Sequence, residues 1–124
     1  MARVYLDANK LIDLVEDRGE TFGDSLDKHK LFLSPLSVHI LLYITKHKVP
    51  YQKLEDTIQD FTIVNFNQSL CDKSFFGPTT DFEDNVQLNT ASEAECDLFL
   101  TADKKLQNLK YFGKARIVGE MPHD

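Results

Sequence analysis

The chain is poor in cysteine: Cys71 and Cys96 are its only two, they stand 25 positions apart, and neither belongs to a paired spacing. That excludes a disulfide framework and a Cys/His zinc site, and it fits a reducing cytoplasm. Long apolar runs are missing as well. The longest nearly uncharged stretch, Leu31 to Thr45, is interrupted by Pro35, Ser37 and His39, and the opening Met-Ala-Arg-Val-Tyr-Leu-Asp lacks the apolar run of a secretion signal. Neither a membrane span nor an export signal is expected. Positive charge is scarce too, with 14 Lys and Arg against 20 Asp and Glu, a net −6. This argues against a broad electrostatic grip on nucleic acid, because such affinity grows with the number of phosphates neutralised. No internal repeat, low-complexity tract or linker interrupts the sequence. What remains, at 124 residues with 42% hydrophobic and 27% charged side chains, is one globular domain over residues 1–124, large enough for a single core.

Hydrophobic patterning predicts alternating strands and helices. Arg3-Val-Tyr-Leu6 reads as a strand feeding directly into a helix in which Leu11, Ile12, Leu14 and Val15 follow helical spacing. Lys30-Leu-Phe-Leu33 is a second short apolar run, and Ser34-Pro35 supplies a cap and first-turn residue for the helical Val38 to Ile44. Pro50 opens an amphipathic helix with Leu54, Ile58 and Phe61 on one side, and Thr62-Ile-Val-Asn-Phe66 is a β-branched strand. Gly77-Pro78 breaks a short helix from Gln68 to Phe75. Thr80-Asp-Phe-Glu83 then has capping-box form, with Thr80 as the cap of a long helix from about Asp81 to Glu95. Asp97 to Thr101 is a fourth strand, Asp103 caps a short helix from Lys104 to Leu109, and Ala115 to Val118 forms a last strand. This alternation predicts an α/β fold: a three-layer α/β/α sandwich around a mainly parallel sheet of four to five strands.

In such a sheet, sites are built where loops leave the C-terminal ends of the strands. Asp7 ends the first strand, Asp103 lies two residues beyond the fourth, and Asp81 and Asp84 fall in the opening turns of the long helix. Asp84 shares a helical stripe with Leu88 and Ala91, which puts it where a core-facing stripe meets the sheet edge. Close carboxylates repel unless something positive sits among them. A hard divalent cation such as Mg2+ meets that need with oxygen ligands and retained waters, and acidifies a water for attack on a phosphodiester. Taken singly, Asp7, Asn9 and Asp103 read equally well as helix caps. His39 reads as a packed or hydrogen-bonded residue of an apolar helix, and Tyr43, Phe75 and Phe76 as core. Lys104 to Arg116 holds five basic residues and no acid, whereas Asp81 to Asp97 holds six acids and no base. Each run also suits an ordinary solvated face.

The segments Val4-Tyr-Leu-Asp-Ala-Asn-Lys-Leu-Ile-Asp-Leu14, Asp81-Phe-Glu-Asp-Asn-Val-Gln-Leu-Asn-Thr-Ala91 and Cys96-Asp-Leu-Phe-Leu-Thr-Ala-Asp103 together resemble the PIN-domain family, and within it the VapC-like toxins. The resemblance runs in order along essentially the whole chain. It implies Mg2+ or Mn2+ dependence, endonucleolytic cleavage of RNA, and inhibition by a cognate antitoxin. By position, Asp7, Asp84 and Asp103 match the family's first, third and fourth acids and would be the catalytic metal ligands, with Asp81 as an auxiliary acid. Asn9 and Thr101 match polar residues that support the site. Lys104 and Lys105, directly after Asp103, would contact substrate. The departure is the second acid: Ile40 stands where a glutamate is common in the family, which implies weaker metal binding or weaker activity.

The leading expectation is thus a cytoplasmic, metal-dependent ribonuclease of the toxin kind, with RNA, an antitoxin and a second copy of the chain as partners. A PIN-like module that binds RNA or protein without catalysis is the alternative, favoured by Ile40 and separable by a metal titration. A phosphoacceptor receiver domain shares the length and the alternation. It is disfavoured because the first strand ends in one acid instead of a pair and no lysine directly follows the last strand.

Overall fold

In the computed structural model, residues 1–16 and 22–122 are described. The first strand, β1 (Arg3–Leu6), runs into helix α1 (Ala8–Val15) with only Asp7 between them. A short helix α2 (Phe22–Leu26) leads to β2 (Lys30–Leu33) and then α3 (Pro35–Thr45), α4 (Gln52–Ile58) and the two-residue β3 (Thr62–Ile63). The second half comprises α5 (Gln68–Ser74), α6 (Phe82–Glu93), β4 (Leu98–Leu100), α7 (Lys104–Gln107), β5 (Tyr111–Phe112) and β6 (Ala115–Val118).

The six strands form one sheet in the order β3-β2-β1-β4-β6-β5, every pairing parallel except β5 with β6. Val4, Tyr5 and Leu6 are fully buried, as a strand covered on both faces requires. Alternation along the strands divides the core. Tyr5, Phe32 and Phe99 pack with Leu88 and Ala91 of α6 and Leu106 of α7. On the other face, Val4, Leu6 and Leu100 pack with Leu26 of α2 and Leu14 of α1, while Leu33 joins Leu11, Ile12, Leu41 and Leu54 from α1, α3 and α4. This is the three-layer α/β/α sandwich read from the sequence.

Several details differ from that reading. The sheet has six strands instead of four to five, because Tyr111–Phe112 turns back on Ala115–Val118 through a tight hairpin whose Gly113 sits at φ 61°. Two-residue edge strands carry too little periodicity to be read in advance. The third strand stops at Ile63, leaving Asn65 and Phe66 exposed. Asp81, not Thr80, caps α6: its carboxylate accepts from the Asp84 N–H at 3.0 Å. Thr79 is drawn inward instead, its hydroxyl donating to Asn85 Oδ1 at 2.7 Å, and this closes the loop one residue later than a Thr80 box would. Tyr43, Phe75 and Phe76 are not core residues; they are 75%, 70% and 91% exposed. Helix α3 is apolar around most of its circumference, and only one side of it meets α1 and β2. His39 lies on the open side, exposed, its ring stacked 6.3 Å from that of Tyr43.

Candidate active site

The chain crosses from β1 outward to β2 and β3, then returns to lay β4 on the other side of β1. The crevice beyond the C-terminal ends of β1 and β4 is therefore the topological switch point, where open α/β sheets bind their ligands. Asp7 and Thr101 leave those two strand ends side by side, with the Asp7 N–H donating to Leu100 O at 2.9 Å.

Asp7 is 6% exposed, and each of its carboxylate oxygens is held. Oδ1 accepts from the Ala8 N–H at 2.8 Å, so the residue caps α1. Oδ2 accepts from the Thr101 hydroxyl at 2.7 Å and from Asn9 Nδ2 at 3.3 Å. Asn9 in turn reaches Thr101 Oγ1 at 3.3 Å and accepts from the Ala102 N–H at 3.0 Å. Thr101, fully buried, also accepts from the Asp103 N–H at 3.0 Å. The cap and the hydrogen-bond network are one structure, so capping α1 also fixes Asp7 beside Thr101 and Asn9.

The pocket beside this network is a cavity of about 200 Å³ lined by Asp7, Asn9, Ile40, Glu83, Asp84, Gln87 and Asp103, with Ala8, Ile12 and Ile44. Three of the sequence-selected acids meet in its wall. Asp81 does not line it, being spent as the exposed cap of α6. Lys104 and Lys105 are exposed in α7 and stand outside the wall. Ile40 also lines the pocket. Two further polar residues line the pocket beyond those the sequence pointed to as site residues. Glu83, freed from the capping box, faces the pocket. Gln87, one turn beyond Asp84, is 1% exposed; its three-residue spacing from Asp84 on the same helix was the available signal.

The electrostatics agree with the crowding. Burial raises the Asp7 carboxyl above its ordinary range, Thr101, Ala8 and Asn9 oppose this, and the neighbouring charge of Asp103 adds to it. Asp84 is pushed up to about 6, first by burial and then by the negative charges of Asp81, Asp7, Asp103 and Glu83. The donor set is therefore oxygen-only and short of positive charge, which fits a hard cation bound through one or two carboxylates and several waters. Among the described residues, no group of three His, Cys, Asp or Glu side chains already converges on a single point. The acids share a pocket but do not form a closed cage.

No protein-family model matches the chain, and neither does any curated protein. Solved structures do. The VapBC2 structure from Rickettsia felis, determined with a DNA fragment from its promoter, superposes with a TM-score of 0.70 at 14% identity, over 94% of this chain and 97% of that one. The fold is PIN-like. PAE2754 from Pyrobaculum aerophilum superposes with a TM-score of 0.59 at 16% identity, covering 86% of this chain and 84% of its own. At these identities the likeness is one of PIN-like fold, and the chemistry has to be argued from the pocket. No helix among the described residues is long and apolar enough to cross a membrane.

Proposed function

We propose that the protein is a metal-dependent endoribonuclease acting as the toxin of a toxin–antitoxin pair. The observation that carries the reading is a buried Asp7 at the switch point of a PIN-like sheet, locked by Thr101 and Asn9 and sharing one pocket with Asp84 and Asp103. Asp7, Asp84 and Asp103 would hold Mg2+ or Mn2+. When bound, the ion supplies charge neutralisation and an acidified water for attack on the phosphodiester. The chain's own residues do the positioning. Thr101 and Asn9 fix the Asp7 rotamer before any ligand arrives, and Asp84, near 6, gives up its residual proton readily as positive charge enters. Lys104 and Lys105, exposed in α7 directly after Asp103, would contact the RNA backbone. The likeness to VapBC2 supports an antitoxin as protein partner.

The test is cleavage of a mixed-sequence RNA by the purified protein in Mg2+ or Mn2+. Internal cuts are expected, with loss of activity in EDTA and in Asp7→Asn, whose fold should survive because an amide can still hydrogen-bond Thr101 and Ala8. Cleavage indifferent to both would overturn the proposal. The second reading, a PIN-like module that binds without cutting, is favoured by one observation: Ile40 presents no oxygen to the pocket it lines. Absence of Mn2+ binding by calorimetry would decide for it.

A further inference from the structure

One buried polar group at the pocket has no hydrogen-bond partner among the described residues. Gln87 is 1% exposed, lines the acidic pocket, and its Nε2 makes no hydrogen bond. The other end of the amide is fully engaged: Oε1 accepts from the Tyr5 hydroxyl and from Ser37 Oγ, the latter at 2.9 Å. Tyr5 is completely buried, so its hydroxyl needs an acceptor, and Gln87 Oε1 provides it. With Oε1 turned toward both hydroxyls, the amide oxygen lies on the Tyr5 and Ser37 side. The NH2 end therefore points away from the two hydroxyls with its donors unmet, a costly arrangement to keep in a folded core unless something else satisfies it.

Placement narrows what that something is. Gln87 follows Asp84 by three positions and Glu83 by four, so all three share one face of α6, and Ile40 lines the same pocket from α3. An N–H donor cannot ligate a cation. It needs an oxygen acceptor, and among carboxylates a phosphate oxygen is admitted only with a cation to offset the charge. Resting on the ribonuclease reading above, we propose that Gln87 Nε2 donates to a non-bridging oxygen of the bound phosphodiester, making Gln87 a substrate-positioning residue whose orientation is set by Tyr5 and Ser37.

The experiment uses the intact protein, Mn2+ and adenosine 5′-monophosphate as a phosphate carrier. Gln87→Met removes both amide ends; Gln87→Glu keeps an acceptor for Tyr5 and Ser37, and hence the fold, but removes the donor. Mn2+ affinity should hold within about threefold in Gln87→Met. Nucleotide affinity at saturating Mn2+ should fall about tenfold in both variants, the scale of a lost hydrogen bond to a charged group. In the wild type with Mg2+, the side-chain 15N–1H signals that vanish in Gln87→Glu should shift on adding nucleotide and not on adding Mg2+ alone. Unchanged nucleotide affinity in both variants, with Mn2+ bound normally, would overturn the role of Gln87 alone. Failure of the wild type to bind Mn2+ would overturn the nuclease reading and this inference with it.

Discussion

Asp84→Asn should stabilise the metal-free protein at neutral pH and flatten its pH dependence. The folded-state carboxyl sits at about 6, above its ordinary value of 3.8, so the folded chain holds this proton more tightly than the unfolded chain does. The associated stability is fully present below about pH 4 and is lost as pH rises through 6. A displacement of this size corresponds to at most about 3 kcal/mol. Asp84 is only half-buried, so solvent screening reduces this to about 1 kcal/mol. The asparagine cannot ionise and should keep that amount at pH 7.5, about 4 °C in melting temperature for a domain of this size. Thermal melts in EDTA from pH 4 to 8 would show the wild-type curve falling away from the variant between pH 4 and 7. Addition of Mg2+ should reverse the order, because a ligand that binds only the native state stabilises by mass action and the variant binds it less well. Parallel pH curves in EDTA would refute the claim that Asp84 is crowded by Asp81, Asp7 and Asp103.

Asn85→Ala should cost about 3 kcal/mol in denaturant unfolding, because this buried amide accepts from the Thr79 N–H and hydroxyl while donating to the Ser74 and Thr79 carbonyls; a loss under 1 kcal/mol would show that the loop into α6 is held otherwise. A Lys104/Lys105 double alanine variant should bind RNA several-fold more weakly at low salt, with the difference shrinking as salt rises; equal affinities would leave the two lysines as plain surface. Ile40→Glu should tighten Mg2+ binding at least tenfold and raise any nuclease activity, while lowering the melting temperature in EDTA through the added buried carboxylate; melting curves of wild type and variant that stay parallel across an Mg2+ series would show that position 40 contributes nothing to the cation.

The layers and their order were legible because buried parallel strands and the helices between them impose different periods. Val4-Tyr-Leu6 and Leu98-Phe-Leu100 are apolar without alternation, as strands covered on both sides must be, and Leu11, Ile12 and Val15 mark one side of α1. What periodicity cannot reveal is which apolar surface receives a partner. Helix α3 buries Leu41 yet leaves Tyr43 and Ile44 in solvent, and nothing in its own sequence distinguishes the two surfaces. Helix α6 shows the converse: Asn85, Gln87, Asn89 and Thr90 are all buried in a segment whose composition suggests an exposed helix. Asn85 and Asn89 are accommodated by the preceding turn, Asn89 reaching the Gly77 carbonyl at 3.1 Å, and Gln87 accepts from Tyr5 and Ser37 on other elements, contacts that no local reading contains.

The site divides along the same physical line. Asp7, Thr101 and Asp103 could be located from sequence because strand C-termini fix where the chain must leave the sheet, and a polar residue there has few other places to go. Ile40 is singled out through the resemblance to the PIN-domain family, in the helix that Ser34 caps. Gln87 follows from Asp84, three positions back on the same face of α6, whereas Glu83 had a competing place in the expected capping box. Had Thr80 capped the helix, Glu83 would have been turned back onto the loop; with Asp81 as cap, both Glu83 and Gln87 line the pocket. The one-residue choice of cap thus bears on Glu83, which joins Asp7, Asp84 and Asp103 as a fourth acid in the pocket that Ile40 also lines.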